Sequence, residues 1–188
     1  MNEPAPELRM FFVCTGNQAR SPIAAAWTAR ALSGLPVRVG SAGTLPGVPR
    51  PLLPEARAAA DDLGLDLSEY ASSHVSEHDL SSVDLVIGFE LHHMAAAVVD
   101  GGAPAGRAFL LNELVRLALT VPPPPGPVDP LVRARTYVRV ADLRRGDGRH
   151  VARQEIKDPA GRRRRAFQEI IDEVVRGCGE MTSLLFGV

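Results

Sequence analysis

Apolar positions along this chain follow two spacings that alternate from one end to the other. Short runs of bulky and β-branched residues predict strands, and apolar faces at helical spacing predict helices. Leu8-Arg9-Met10-Phe11-Phe12-Val13 predicts a buried first strand. Ser21 as N-cap and Pro22 at the first helical position then open an Ala-rich helix over 23–32, stopped by Gly34. Val37-Arg38-Val39 predicts a short second strand. Pro54 opens a helix through Leu63 that Gly64 closes, and Leu85-Val86-Ile87-Gly88-Phe89 predicts a buried central strand. A helix over 90–99 ends near Gly101-Gly102, and Ala108-Phe109-Leu110-Leu111 predicts the last strand. The terminal helix carries Phe167, Ile170, Ile171, Val174, Cys178, Met181 and Leu185 on one stripe, which makes Cys178 a core residue. Strands alternating with helices imply an α/β fold whose parallel sheet is covered on both faces.

Residues 121–153 differ in character. Pro122-Pro123-Pro124-Pro125-Gly126-Pro127 excludes helix and central strand. Residues 131–145 then predict a helix with Leu131, Ala134, Val138 and Leu143 among its apolar members, ended by Gly146-Asp147-Gly148. The segment reads either as a surface excursion with a solvated Arg face or as a flap beside a site.

Composition narrows the class. The 188 residues suit one domain with a real core. A formal net charge of -1 supplies no field for nucleic acid or an anionic membrane, so neither is expected as a partner. Two cysteines far apart make no metal or disulfide pattern and suit a reducing compartment. Met1-Asn2-Glu3-Pro4 lacks the basic start and apolar stretch of a signal peptide, and no apolar run is long enough to span a bilayer. The expectation is a cytoplasmic protein.

The chemistry concentrates between the first strand and the first helix, in Cys14-Thr15-Gly16-Asn17-Gln18-Ala19-Arg20-Ser21. A loop of this kind aims successive backbone N–H groups at one spot, where the helix dipole adds positive potential. Arg20 adds a bidentate fork for phosphoryl oxygens. With the Cys14 sulfur at its floor, the loop combines an oxyanion receptor with a nucleophile. His92-His93, and His74 with His78, have no cysteine or clear carboxylate partner nearby, so they are expected as solvated histidines and not as metal ligands. No metal or other cofactor is expected. Two Asp-Pro pairs, Asp129-Pro130 and Asp158-Pro159, each hold an Asp in an extended conformation that can aim its carboxylate. Arg162-Arg163-Arg164-Arg165 reads as a solvated helix start that can also attract an anion.

At these residues the chain resembles the low-molecular-weight protein tyrosine phosphatases, including their bacterial arginine-phosphatase branch. Val13-Cys14-Thr15-Gly16-Asn17 followed by Arg20-Ser21-Pro22 is similar to that family's signature. Ser41-Ala42-Gly43-Thr44, the strand Val83-Asp84-Leu85-Val86-Ile87, and Asp158-Pro159 before the long terminal helix agree in order. The resemblance implies a three-layer α/β/α fold with a four-stranded parallel sheet in the flavodoxin-like order 2-1-3-4. It implies a single phosphatase domain over 1–188 with an extended insertion near 120–153. It further implies hydrolysis of protein phosphotyrosine through a phosphocysteine, with a phosphorylated protein as substrate and inorganic phosphate or another oxyanion held in the loop.

In that reading Cys14 is the nucleophile, Arg20 binds the phosphoryl group, and Asp158 is the general acid and base. Thr15, Gly16, Asn17, Gln18, Ala19 and Ser21 shape the receptor, while Ser41 and Asn17 brace it. Departures accompany the match. Ala19 stands where the family often has a second Cys, and Gln18 where Ile or the arginine-phosphatase branch's Thr is usual. Ala160-Gly161 follow the Asp-Pro pair in place of an aromatic, and no aromatic wall occurs around Leu45-Pro46-Gly47. These changes weaken the case for phosphotyrosine, and Tyr70-Ala71-Ser72-Ser73 with Phe109-Leu110-Leu111-Asn112-Glu113 look somewhat like the arginine-phosphatase branch. The alternatives are a protein-arginine phosphatase, an arsenate reductase that uses a small thiol, and a catalytically weak phosphate-binding module.

Overall fold

Strand β1 (Leu8–Cys14) divides the core in two. Met10, Phe12 and Cys14 face one apolar cluster, and Phe11 and Val13 face the other, as the alternation of side chains along a strand requires. The computed structural model describes residues 7–146 and 154–188. β1 pairs in parallel with β2 (Val37–Gly43) and with β3 (Leu85–Gly88), and β3 pairs with β4 (Ala108–Leu110). The four-stranded sheet therefore runs β2-β1-β3-β4, the order expected.

On one face lie α1 (Arg20–Ala31), α4 (Leu111–Ala118), α5 (Pro130–Leu143) and α6 (Arg164–Phe186). On the other lies α3 (Leu91–Val99). The short α2 (Pro54–Asp62) brings Ala56, Ala59 and Ala60 against Ile23, Phe167 and Ile171. Cys178 is fully buried on the inner stripe of α6, and burial pushes its thiol up to about 12. Among the described residues no helix is long and apolar enough to cross a membrane.

Four local expectations change. β2 continues to Gly43 because Ser41, Ala42 and Gly43 stay in register with Phe12, Val13 and Cys14. α1 begins at Arg20, with Ala19 as its uncapped N-cap, because the Ser21 hydroxyl turns to the Cys14 sulfur at 3.0 Å instead of capping the helix. α4 follows β4 without a break, its first turn held by the Leu110 N–H donating to Glu113 Oε2 at 3.2 Å. α5 starts at Pro130 because the Asp129 carboxylate accepts the N–H groups of Leu131 and Val132, both at 3.0 Å. The proposed helix end at Asp147 and Gly148 lies outside the described residues.

Phe12 is fully buried and stacks on Phe89 with centroids 6.5 Å apart. Phe12→Ala should lower unfolding free energy by about 3–5 kcal/mol in a denaturant titration. A loss under about 1 kcal/mol would contradict this placement of the core.

Candidate active site

The loop leaves β1 at the C-terminal edge of the sheet, where open α/β sheets hold their ligands. Asn17 gives the loop its shape. It has a φ of 51°, the single positive φ outside glycine among the described residues, in a region that Asn tolerates better than other side chains. Its side chain is fully used. Nδ2 donates to Ser21 Oγ at 2.9 Å and Ser41 Oγ at 3.1 Å, and Oδ1 accepts the Ser73 N–H at 3.0 Å. The Tyr70 hydroxyl donates to the Asn17 carbonyl at 3.1 Å and lies 3.3 Å from Ser41 Oγ. Burial, its largest influence, raises the Tyr70 pKa and keeps the phenol a neutral donor.

This bracing turns two donors onto the Cys14 sulfur, the Asn17 N–H at 3.2 Å and the Ser21 hydroxyl at 3.0 Å. Both favour negative charge on sulfur. The N–H groups of Gly16, Gln18 and Ala19 find no acceptor among the described residues. They are donors that an oxyanion can use.

Arg20 is 1% exposed. Its Nη1 donates to Glu90 Oε2 at 2.7 Å and to the Ile156 carbonyl at 2.8 Å. Its Nη2 donates to Asp158 Oδ2 at 2.7 Å and to Thr15 Oγ1 at 3.3 Å. The Phe89 ring centroid lies 5.7 Å from the guanidinium carbon. Asp158 also accepts the Ala160 N–H at 2.9 Å through Oδ1, and Arg162 Nε donates to its carbonyl at 2.8 Å. The proposed nucleophile, phosphoryl-binding arginine and acid thus meet in one cleft of about 120 Å³, whose walls include Gln18, Leu45, Leu53 and Ala160. Gln18 is pinned to the rim by Nε2 donating to the Pro51 carbonyl at 2.7 Å.

A larger cleft of about 600 Å³ opens between α5 and the turn before β4. It contains no nucleophile, and its Asp84 is paired with Arg135 at 2.9 Å. The nucleophile, arginine and acid expected from the sequence all line the smaller one. Asp129, the other Asp-Pro carboxylate, caps α5.

His93 departs from the expectation of solvated histidines, whereas His92 is exposed and His74 lies in a turn, as expected. His78 packs on Phe11 with centroids 5.0 Å apart and meets Ser73 Oγ at 2.8 Å, and His74 caps a 3-10 turn over Val75–Glu77. His93 is fully buried, and Glu90, His92 and His93 bring possible ligand atoms within 4.8 Å of one another. That grouping suits a cation poorly. His93 Nδ1 accepts the N–H groups of Phe89 at 3.2 Å and Glu90 at 3.0 Å, so its proton sits on Nε2, where a metal would need a lone pair. Burial first, then Arg20 and His92, push its pKa down to about 2. The Arg20 guanidinium already occupies Glu90.

Glu90, His93, Tyr70 and Ser73 are the site neighbours that sequence reasoning did not assign. Glu90 carried one usable signal, its position just past the C-terminal end of a central strand.

The description "Low molecular weight phosphotyrosine protein phosphatase" belongs to the family model that matches residues 9–124. The chain belongs to this family. It is a phosphatase by that membership. A protein-arginine-phosphatase of Bacillus subtilis (strain 168) is 32% identical over 108 residues, spanning 56% of this chain and 71% of that protein. Among solved structures, a YwlE arginine phosphatase is similar with TM-score 0.65 and 24% identity over 94% of each chain; it is a cysteine-to-serine mutant with a phosphorylated active-site serine. A low-molecular-weight protein tyrosine phosphatase from T. tengcongensis matches with TM-score 0.65 and 22% identity, over 93% of this chain and 97% of that one. These likenesses place the fold of the phosphatase family on this chain.

Asn17→Ala removes three side-chain hydrogen bonds and strains the backbone at positive φ. It should lower kcat/KM for an aryl phosphate about ten- to a hundredfold, and Asn17→Gly, which relieves only the backbone, should recover part of the loss. An Asn17→Ala rate within twofold of the parent would contradict the bracing role.

Proposed function

We propose that this phosphatase hydrolyses protein-bound phosphoryl groups through a phosphocysteine on Cys14. The observation that carries this reading is the Cys14 sulfur, held by two donors under a loop with open N–H groups and backed by Arg20 and Asp158. The substrate phosphoryl group takes the place of the Asp158 carboxylate on Arg20. Freed from Arg20, Asp158 takes up a proton from solvent; the sulfur attacks phosphorus, a P–S bond forms, and the bond to the leaving group breaks as Asp158 delivers that proton to it. Asp158 then removes a proton from water, the water oxygen bonds to phosphorus, and the P–S bond breaks to release inorganic phosphate. Arg20 and the amides of Thr15, Gly16, Gln18, Ala19 and Arg20 carry the equatorial charge. Ser21 stabilises the departing sulfur, while Asn17 and Ser41 hold the loop.

The rim favours phosphoarginine over the phosphotyrosine expected from the sequence. Gln18, Leu45, Leu53 and Ala160 line the cleft, and among the described residues no aromatic side chain does. A phenyl ring would find no flat wall there, whereas a slim alkyl-guanidinium chain fits an aliphatic slot with the Asp158 carboxylate at hand. The curated Bacillus relative carries the name of that activity. Cys178 is fully buried and offers no second reachable thiol, so an arsenate reductase built on this site would have to draw its thiol from solution. The weak-module alternative requires a displaced acid, and Asp158 lies 2.7 Å from Arg20.

The test presents phosphoarginine and phosphotyrosine in the same peptide. A kcat/KM about tenfold or more higher for phosphoarginine is expected, on the scale of discrimination by wall contacts; a preference for phosphotyrosine would overturn the substrate assignment. Cys14→Ser should abolish turnover and keep phosphate binding. Asp158→Asn should slow substrates with poor leaving groups by about two to four orders of magnitude while sparing activated aryl phosphates. Full activity in either variant would remove that residue from the mechanism.

A further inference from the structure

We infer that His93 is a positioning residue for the phosphoryl site, holding Thr15 and, through it, Arg20 in place as a hydrogen-bond donor. This rests on the reading of Cys14 and Arg20 as the phosphoryl site and adds a residue from a distant helix to it.

The proton count along the contact chain admits one arrangement. His93 Nδ1 receives two backbone N–H groups, from Phe89 and Glu90, at the start of α3. A ring nitrogen that accepts carries no proton, so the hydrogen of the neutral ring is on Nε2. Nε2 lies 3.0 Å from Thr15 Oγ1 and donates to it. Arg20 Nη2 donates to the same oxygen at 3.3 Å. With both acceptances made, the Thr15 hydroxyl proton is free to go to His92 Nε2, 3.3 Å away. His92 sits against His93 with ring centroids 4.1 Å apart. Both ring nitrogens of His93, Thr15 Oγ1 and His92 Nε2 thus each have a partner, and the direction of each bond is set by the two backbone donors at its origin.

Geometry ties this chain to catalysis. Thr15 directly follows the nucleophile, so a bond to its side chain fixes the first turn of the loop. Arg20 shares Thr15 Oγ1, and its other side is held by Glu90, three residues before His93 on the same turn. One turn of α3 therefore reaches both the loop and the arginine. Its close approach depends on Gly88, where a Cβ would fall 2.9 Å from His93 Cβ. A protonated ring at this place would face the Arg20 guanidinium at close range, and burial opposes that charge as well.

A double-mutant cycle separates this role from simple packing. His93→Asn keeps an acceptor for the two backbone N–H groups but is too short to reach Thr15. Thr15→Val keeps the shape and deletes the hydroxyl. Each should lower kcat/KM for an aryl phosphate about five- to tenfold, and the double variant should be no worse than either single one. Thr15→Ser, which returns the hydroxyl, should regain activity relative to Thr15→Val. The cycle is read a second time on the dissociation constant for vanadate, and thermal midpoints are measured for all variants. Multiplied losses in the double variant, or single losses under twofold, would overturn the positioning role while leaving the phosphatase reading intact. A parent protein that neither turns over aryl phosphate nor binds vanadate would overturn both.

Discussion

A guanidinium cannot be buried alone, and much of this site follows from how Arg20 is kept out of water. At 1% exposure it would carry a large desolvation penalty without partners. Two carboxylates and a carbonyl from two separate stretches meet it at 2.7–2.8 Å: Glu90 after β3, and Ile156 and Asp158 before α6. This one cation therefore draws the start of α3 and the approach to α6 onto the loop that follows β1. The Ile156 N–H also donates to the Phe89 carbonyl at 2.8 Å, which fastens the same two segments by backbone. The arrangement gives the general-acid candidate a resting place on the group that the reading assigns to the substrate phosphoryl. Binding then becomes an exchange of one anion for another on Arg20, and the carboxylate is released beside the reacting bond.

A second constraint is local. Asn17 adopts a backbone shape that most residues resist, and three hydrogen bonds from its side chain hold it there. The consequence is a loop whose amides point inward before any ligand arrives, so little ordering is left for binding to accomplish. The small-residue neighbours fit this economy of space. A Cβ on Gly43 would lie 2.8 Å from the Thr15 carbonyl, which explains a glycine at the end of β2.

The alternating pattern made the strands and the terminal helix legible, because β1, β3 and α6 each bury a strong apolar run, while the strand order came from the family resemblance. The failures have physical causes. Gly40, Ser41 and Gly43 look like turn residues, yet pairing with β1 keeps them extended. α4 begins without a breaker after Leu110, so its first residue reads as strand, although Leu111, Leu114, Val115 and Ala118 recur at helical spacing. Ser21 has the composition of a cap but serves the sulfur. Cys14, Arg20 and Asn17 stand out because their chemistry is contiguous in the chain. Asp158 was distinguishable from Asp129 only through the family resemblance, and the structure supplies the reason: Asp129 is occupied as a helix cap. Glu90 and His93 meet Arg20 and Thr15 across 70 and 78 positions of sequence, and the one local hint of these pairings is the place of Glu90 just past the end of β3.

The most direct test of the exchange on Arg20 is a crystal structure with vanadate bound. The account predicts vanadium above the Cys14 sulfur, Arg20 Nη2 bonded to a vanadate oxygen, Glu90 still on Nη1, and the Asp158 carboxylate moved from Nη2 to the apical oxygen. An anion held elsewhere, or one bound over Cys14 with Asp158 still paired to Arg20, would contradict it.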